Sequence, residues 1–271
     1  MWGPELALVP LEKKFGYRWH TVENPFGHPV GKTNPCTLIS CIQKNVPYYR
    51  LLPLDDRFEL HQHIQIFINE KGFEGCGGLE ITEEIKVTIA AQACILLLHR
   101  QTDYYPGLTA ILVYPSAYLA KSQEHLPGGV VAEGHEVREG ESWGHGVVVL
   151  SWEDVLAGAA NPYDGHNLVF HEFAHQLDSS AGAGDDSEIL RDIDKYFEWA
   201  QAIEEDYHKL RDDIQWHRHS LLDEYGGINE AEFFAVATEC FFEQGNRMRD
   251  DHPQLYAQLK KFYNQDPALL F

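Results

Sequence analysis

The segment His171-Glu172-Phe173-Ala174-His175 constrains the fold of this chain more than any other part of its sequence. Residues four apart on an α-helix lie one turn above each other, so both imidazoles face the same side and can bind one metal ion. Neutral imidazole nitrogens are common zinc ligands, and Glu172 could accept a proton from water at that metal. The segment therefore predicts a Zn²⁺ site on a helix, with a general base beside it.

The residues around this segment support a buried helix. Because the chain contains 15 histidines in 271 residues, the five-residue pattern alone is weak and needs such support. Apolar side chains at helical spacing surround the motif, namely Leu168, Val169, Phe170, Phe173, Ala174 and Leu177. We expect the helix to begin at Asn161 or Asp164 and to end near Gly182. Upstream, the β-branched run from Gly146 to Trp152 predicts a strand that leads into it.

A catalytic zinc ion commonly has three protein ligands, so the two histidines need a third. Asp178 lies seven positions after His171 on the same face, but one straight helix rarely supplies three ligands, so it fits better as a hydrogen-bond acceptor. His217 and His219 follow a long helix and have no histidine partner at four-residue spacing. Glu232 lies at the start of a second, aromatic-rich helix. The third ligand is therefore open among these candidates.

The second helix allows two interpretations of its glutamates. The spacing Asn229-x-x-Glu232 matches a capping box, in which the glutamate binds the first amide of its own helix, and the residues alone do not decide against it. A zinc-bound imidazole usually donates its other N–H to a carboxylate or a carbonyl. Glu239, seven residues after Glu232, is a candidate for this acceptor, although an exposed ion pair would explain it equally well. Asn167 is a weaker candidate.

Several segments resemble a known family. The segment from Asn229 to Ala235, with Tyr225 seven residues before Glu232 and the His-Glu-Phe-Ala-His motif upstream, resembles the Mlc titration factor A family of zinc peptidases. It is also similar, more distantly, to the catalytic domain of anthrax lethal factor. Further matching segments are Phe73 to Glu80, Ile85 to Leu98, Tyr114-Pro115 and Leu150 to Trp152. The resemblance implies that Glu232 is the third zinc ligand and that Tyr225 lies beside the metal.

The resemblance also implies a function. Zinc held by His171, His175 and Glu232 would support hydrolysis of a peptide substrate with Glu172 as general base, in an aminopeptidase-like reaction on small peptides. Tyr225 would donate a hydrogen bond to the oxyanion, whereas the residues alone favour a core tyrosine before a Gly-Gly turn. The family is named for sequestering a glucose-responsive transcriptional repressor. The alternative function is therefore binding of a repressor of the Mlc type, with or without peptidase activity.

The periodicity of apolar residues predicts an α+β fold that is mostly helical, and the resemblance makes it a zincin-like metallopeptidase domain with a small mixed sheet packed on the active-site helix. Predicted helices run from Phe58 to Asn69, from the Thr82 cap to Leu96, from Ile189 to Ile214 and from Pro253 to Tyr263. A strand from Ala110 to Tyr114 should pair with one from Val147 to Ser151. In zincin peptidases an edge strand in this order pairs with the substrate backbone, which makes the second strand a candidate for that role. Residues 1–45 are interpreted as an N-terminal extension, wrapped on the domain or partly mobile, and residues 46–271 as the metallopeptidase domain.

Composition excludes several functions. A formal net charge of −21 opposes binding of nucleic acid or anionic membranes. The chain has no apolar run of about eighteen residues and no evident signal peptide after Met1. No C-x-x-C pair occurs among the cysteines, which are Cys36, Cys41, Cys76, Cys94 and Cys240. Reduced thiols and the absence of a targeting signal predict a cytoplasmic protein.

Overall fold

The computed structural model describes residues 34–100, 103–126, 130–138, 140–143, 146–182 and 193–271. Helices make up most of them, which confirms the predicted α+β, mostly helical class. In chain order the helices are α1 (Pro35–Asn45), α2 (Leu54–Glu70), α3 (Glu83–Ile95), α4 (Trp152–Ala160), α5 (Leu168–Gly182), α6 (Ile193–Gln215), α7 (Glu230–Glu243), α8 (Gly245–Asp251) and α9 (Pro253–Tyr263). Short 3₁₀ helices span Pro47–Arg50, Glu224–Gly227 and Pro267–Leu269.

The strands form a small mixed sheet and a separate hairpin. They are β1 (Gly72–Gly75), β2 (Ala110–Tyr114), β3 (Tyr118–Leu126), β4 (Val130–Arg138), β5 (Gly140–Trp143) and β6 (Val147–Ser151). The sheet has the order β1-β2-β6-β5, with β1, β2 and β6 parallel and β5 antiparallel to β6. The antiparallel hairpin of β3 and β4 lies in the chain between β2 and β5. The sheet contacts α5 through β5 and β6, as expected for a sheet packed on the motif helix.

The predicted pairing of β2 with β6 is confirmed, with Ile111 opposite Val148 and Tyr114 opposite Ser151. The proposal that β6 is an edge strand is wrong, because β6 lies between β2 and β5. The edge position belongs to β5, a short segment without the β-branched run that marked β6 in the sequence. The strand at this edge of the sheet, where a further strand could pair, is therefore β5.

The predicted start of α5 is also wrong. The helix begins at Leu168, where Oδ1 of Asn167 accepts a hydrogen bond from the Phe170 amide at 3.0 Å and acts as the N-cap. Asn161 and Asp164 instead stabilise the preceding turn, since Nδ2 of Asn161 donates to the Asp164 carboxylate at 2.9 Å. A further helix, α4, lies between β6 and this turn, with Ser151 as its N-cap. The predicted end near Gly182 is confirmed.

The hydrophobic core fixes the relation between α5 and α7. Aromatic side chains from both helices are completely buried, namely Phe170 and Phe173 of α5 and Phe233, Phe241 and Phe242 of α7. The rings of Phe170 and Phe242 have centroids 5.3 Å apart, so the two helices contact each other directly. Burial of such large apolar side chains is the main stabilising term in a fold of this kind. The core thus holds the motif helix rigidly against α7.

Two other predicted helices match closely. Oγ1 of Thr82 accepts a hydrogen bond from the Ile85 amide at 3.2 Å, which confirms it as the N-cap of α3. Pro253 is the first residue of α9, where its missing N–H costs nothing. The long acidic helix is described from residue 193 onward as α6, whereas its predicted start at Ile189 lies outside the described residues.

The N-terminal region that the sequence predicts to be an extension is partly described. Within residues 34–45, α1 places Leu38 and Ile42 in the core and contacts α3, while residues 1–33 lie outside the described part. The division at residue 45 stays a prediction.

Cys94 and Cys240 are buried, Cys41 and Cys76 are half-buried, and all four are unbridged. The side chain of Cys36 lies outside the described part, and no described helix is both long and apolar enough to cross a membrane.

Candidate metal centre

Three side chains of types that commonly bind metals meet where α5 contacts α7. His171 and His175 lie one turn apart on α5, and Glu232 lies in the first turn of α7. Oε2 of Glu232 is 2.9 Å from Nε2 of His171 and 3.3 Å from Nε2 of His175. The two Nε2 atoms are 3.3 Å apart. Two imidazole nitrogens and one carboxylate oxygen therefore converge on a single point.

The spacing of these atoms fits a tetrahedral metal ion. Ligand atoms at 2.0–2.1 Å from a tetrahedral metal lie about 3.3 Å from one another. The separations of 2.9 and 3.3 Å lie at or just below this value. Two nitrogens and one carboxylate oxygen are also a donor set used by zinc enzymes. Within the described ranges, His171, His175 and Glu232 form the group of side chains that could hold a metal.

The hydrogen-bond partners of His171 favour a cation at this point. Its Nδ1 is 2.8 Å from Oε1 of Glu239, and when Glu239 is ionised, Nδ1 carries the hydrogen that it donates to this carboxylate. A neutral imidazole would then direct the lone pair of Nε2 toward Oε2 of Glu232, which also offers only lone pairs. A proton or a metal ion at Nε2 removes this repulsion.

The charges at the cluster follow from the same contacts. Burial alone would lower the pKa of His171, but its hydrogen bonds with Glu232 and Glu239 raise it to about 10. Burial alone would raise the pKa of Glu232, but hydrogen bonds from His171 and His175 lower it to about 2. The metal-free protein therefore holds an imidazolium at His171 against a carboxylate at Glu232 near neutral pH.

These pKa values determine how the cluster affects stability. The pKa of His171 is raised from 6.5, so its contribution is fully present below pH 6.5 and is lost as the pH rises through about 10. The pKa of Glu232 is lowered from 4.5, so its contribution is present above pH 4.5 and is lost as the pH falls through about 2. In the metal-free protein the cluster stabilises the fold most between pH 4.5 and 6.5.

We expect metal binding at a pH of about 7.5 to release about one proton, because the metal replaces the proton on Nε2 of His171. For the same reason the metal affinity should rise between a pH of about 6 and about 8. Titration calorimetry in buffers of different ionisation enthalpy measures both quantities. Binding that releases no proton, with the same affinity across this pH range, would contradict a protonated His171.

Glu172 lies between the two histidines in the sequence of α5 and is only 5% exposed. The charge of its carboxylate contributes to the raised pKa of His171, so it lies within electrostatic reach of the three converging atoms. A buried carboxylate beside a metal-bound substrate can accept and return a proton. The structure thus places a possible general base next to the histidines.

Tyr225 lies beside the cluster, in the 3₁₀ helix that precedes α7. Its ring centroid is 5.7 Å from that of His171, and the side chain is 51% exposed. The following Gly-Gly turn packs closely on α6, since a Cβ atom at Gly227 would come 2.4 Å from Cδ1 of Ile214. The turn therefore packs on the core, whereas the Tyr225 side chain is exposed. The alternative prediction of a core tyrosine at this position is wrong.

The other predicted candidates lie in different places. Oδ1 of Asn229 accepts a hydrogen bond from the Glu232 amide at 3.0 Å, so the capping residue is present, but the Glu232 carboxylate contacts the histidines instead of its own helix end. Asp178 is exposed and does not belong to the group of converging side chains. His219 lines a cavity of about 340 Å³ near residues 164–166 and does not contribute to the converging atoms.

The contact of Glu239 with His171 agrees with its expected role, whereas Glu243 was missed by sequence reasoning. Both carboxylates are buried on α7, with Glu239 7% and Glu243 2% exposed. Glu239 accepts the Asn167 amide at 2.5 Å and Glu243 accepts Nδ2 of Asn167 at 3.1 Å. The signal available in the sequence was the presence of Glu239 and Glu243 in the mostly apolar part of α7 that follows its first turn, since buried charges are rare without partners.

Comparison with known proteins assigns most of the chain to one group. Residues 30–264 match the family described as glucose-regulated metallo-peptidase M90. This match covers His171, His175 and Glu232 and both helices that carry them.

Individual relatives agree. An uncharacterized protein of Synechocystis is 39% identical over 225 residues, which are 83% of this chain and 82% of that protein. Mlc titration factor A of Serratia proteamaculans is 31% identical over 80% of this chain and 84% of its own length. Mlc titration factor A of Klebsiella pneumoniae is 28% identical over 82% and 84%, respectively. The resemblance to the titration factor family is confirmed, and the more distant similarity to lethal factor stays a prediction.

Proposed function

The chain belongs to the glucose-regulated metallo-peptidase family M90, and on this basis we propose that it hydrolyses peptide bonds with a zinc ion held by His171, His175 and Glu232. The observation that carries the proposal is the convergence of Nε2 of both histidines and Oε2 of Glu232 at 2.9–3.3 Å. The family supplies the metallopeptidase class. The donor set and its spacing support zinc as the metal.

In the proposed hydrolysis, the metal ligands, Glu172 and Glu239 have different roles. A zinc ion held by His171, His175 and Glu232 would supply Lewis-acid polarisation and would lower the pKa of a bound water to about 7. Glu172 takes the proton of the attacking water and then returns it to the leaving amine, so one carboxylate serves both steps. Glu239 holds the hydrogen on Nδ1 of His171 and keeps Nε2 directed at Glu232.

The mixed sheet offers a surface for an extended peptide. β5 is the outermost strand at one side of the sheet, and it contacts α5, the helix of the two histidines. An extended substrate that adds to such an edge is held by main-chain hydrogen bonds, which do not depend on its sequence. In our proposal β5 takes the role that the sequence had suggested for β6.

We assign Tyr225 the role of hydrogen-bond donor to the oxyanion. Its ring lies beside that of His171, and the side chain is about half exposed. Tyr225→Phe should lower kcat by about 100-fold with KM changed less than about twofold, because the lost hydrogen bond forms only in the transition state. Steady-state kinetics on one peptide measures both constants.

Tyr163→Phe is the matched control for Tyr225→Phe. Tyr163 is also more than half exposed, but its ring packs on Phe271, with centroids 5.4 Å apart. This variant should keep the wild-type kcat. A Tyr225→Phe enzyme with an unchanged kcat would remove Tyr225 from the mechanism.

The proposed substrates are small peptides cleaved from the amino end. The experiment is to load the protein with zinc and compare fluorogenic peptides that have free and acetylated amino termini. We expect cleavage of the free peptides, loss of activity with a chelator, and recovery with zinc. Equal cleavage of acetylated peptides would reject the aminopeptidase-like specificity, and no cleavage of any peptide would reject peptidase function.

The names of the relatives support a second function. Several relatives are called Mlc titration factor A, which in their case refers to the protein Mlc. We therefore propose that this chain also binds a transcriptional repressor of the Mlc type. The repressor would meet the protein in the cytoplasm, where four unbridged cysteines are expected to remain reduced. Calorimetry with the purified repressor tests this binding, and no heat of binding at micromolar concentrations would reject it.

A further inference from the structure

Glu243 occupies a buried position that the proposed chemistry does not use. It lies eleven residues after Glu232, which is about three helical turns, so both side chains project from the same face of α7. Oε1 of Glu243 accepts Nδ2 of Asn167 at 3.1 Å, and Oε2 accepts the amide of Gly165 at 3.1 Å. Both hydrogen-bond partners belong to the segment immediately before α5.

Asn167 links Glu243 to the metal-binding helix. It is 3% exposed, and its Oδ1 caps α5 by accepting the amide of Phe170 at 3.0 Å. Its main-chain oxygen accepts the amide of His171 at 2.9 Å, and its own amide donates to Glu239 at 2.5 Å. A displacement of Asn167 therefore displaces the first turn of the helix that contains His171.

We propose that Glu243 is a positioning residue for the metal centre, which acts through Asn167 to fix the first turn of α5 and the orientation of His171. The inference rests on the proposed metal site. Glu232, Glu239 and Glu243 form a row of carboxyl groups on α7. Glu232 contacts the two histidines, and Glu239 contacts His171 and Asn167. Glu243 contacts Asn167 and Gly165. One helix thus supplies a ligand and also fixes the helix of the other ligands.

The chemistry of the two contacts requires a carboxyl group at this position. Both partners of Glu243 are N–H donors, so the side chain must offer two acceptor oxygens. Burial raises the pKa of Glu243 to about 9, although the hydrogen bond from Asn167 opposes this rise. A protonated carboxyl group keeps an acceptor site on each oxygen, whereas a glutamine side chain has one oxygen and one NH₂ group. In Glu243→Gln the side-chain NH₂ group therefore faces either the Gly165 amide or Nδ2 of Asn167, and that hydrogen bond is lost.

The test is the metal affinity of Glu243→Gln, measured by competition with a chelator of known affinity. We expect about tenfold weaker binding, the low end of the 10–100-fold effects of groups that orient ligand histidines. The Co²⁺-substituted variant should also show a changed visible absorption spectrum, because the position of His171 changes. Wild-type affinity together with a wild-type spectrum would overturn the proposal.

Thr238→Val is the matched control, because it removes a buried hydrogen bond from the same helix on a different face. Oγ1 of Thr238 donates to the main-chain oxygen of Phe234 at 2.9 Å and is 2.8 Å from the hydroxyl of Tyr263, and neither partner belongs to the segment before α5. Thr238→Val should lower the melting temperature and keep the wild-type metal affinity. If both variants weaken metal binding equally, the effect of Glu243 reflects general stability and the proposal fails.

A second variant removes the hydrogen bond between Asn167 and Glu243 by changing Asn167. Asn167→Ser retains a side-chain oxygen that can cap α5 but loses the Nδ2 donor to Glu243. It should weaken metal binding about tenfold, and the double variant should be no weaker than either single variant, because both remove one link. Effects that multiply to about 100-fold would show independent actions and overturn the proposal.

A measurement on the metal-free protein separates this inference from the proposed function. Hydrogen exchange at the amides of Phe170 and His171 should be faster in Glu243→Gln than in the wild type, because the first turn of α5 is less well held. If exchange changes in this way but wild-type protein binds no metal at the cluster, the positioning role stands without the proposed function. Unchanged exchange in the variant overturns the positioning role.

Discussion

Replacing Glu172 by Gln should lower kcat/KM for peptide hydrolysis by about 1,000-fold, while zinc remains bound. General acid–base groups typically contribute 10²–10⁴-fold, and Glu172 is the one assigned to both proton transfers. Glutamine has nearly the same size and keeps the hydrogen-bonding oxygen, so the buried position tolerates it. Peptide kinetics and metal content of the same preparation measure the two quantities.

The control for this variant is Glu230→Gln, an exposed glutamate in the first turn of α7. It carries the same change of charge, lies near the site and should keep wild-type turnover. Undiminished turnover in Glu172→Gln, with zinc bound, would sink the proposed mechanism. The same variant also isolates the second proposed function, because repressor binding should be retained without hydrolysis.

Replacing Glu232 by Ala should weaken zinc binding by more than about 100-fold, a larger effect than loss of an outer hydrogen-bond partner. The variant loses one of three proposed protein ligands and leaves His171 and His175 without the carboxylate they share. In the metal-free protein the pKa of His171 should also fall below its value of about 10, since a main cause of the rise is removed. Chelator competition and the imidazole resonances of His171 measure these effects.

Glu230→Ala is the matched control for Glu232→Ala, two positions away in the same helical turn. It removes an exposed carboxylate and should leave both the metal affinity and the pKa of His171 unchanged. Full zinc affinity in Glu232→Ala would assign the third ligand to Asp178 or another residue. That result would also require a different explanation for the short distances at the cluster.

The third proposed ligand shows what a sequence can and cannot reveal. Glu232 follows His175 by 57 residues (232 − 175), and no local pattern states that the two side chains meet. The capping-box spacing was real, because Asn229 does cap α7, yet the glutamate carboxylate lies against the histidines. Local spacing therefore allowed both interpretations, and only the packing of α5 on α7 decides between them.

The wrong start of α5 has a similar cause. Asn161, Asp164 and Asn167 are all favourable N-cap residues, so local preference cannot select among them. Asn167 is selected by Glu239 and Glu243, two carboxylates more than 70 residues away in the sequence. Where the signal was local, as at Thr82 and Pro253, the predicted helix starts agree with the structure.

Whether β6 is an edge strand depends on β5, a strand that the sequence pattern did not predict. β5 is four residues long and contains Gly140, so it lacks the alternation that identified β2 and β6. Its pairing with β6 moved the edge of the sheet by one strand. The fold class was predictable from strong periodic segments, whereas the identity of the edge strand was not.

The most direct test of the account is anomalous diffraction from crystals of the purified protein, recorded at energies above and below the zinc absorption edge. We expect one zinc ion about 2.0–2.2 Å from Nε2 of His171, Nε2 of His175 and a carboxylate oxygen of Glu232. A zinc ion bound elsewhere, or no ion at these three atoms after equilibration with zinc at neutral pH, would contradict the central claim.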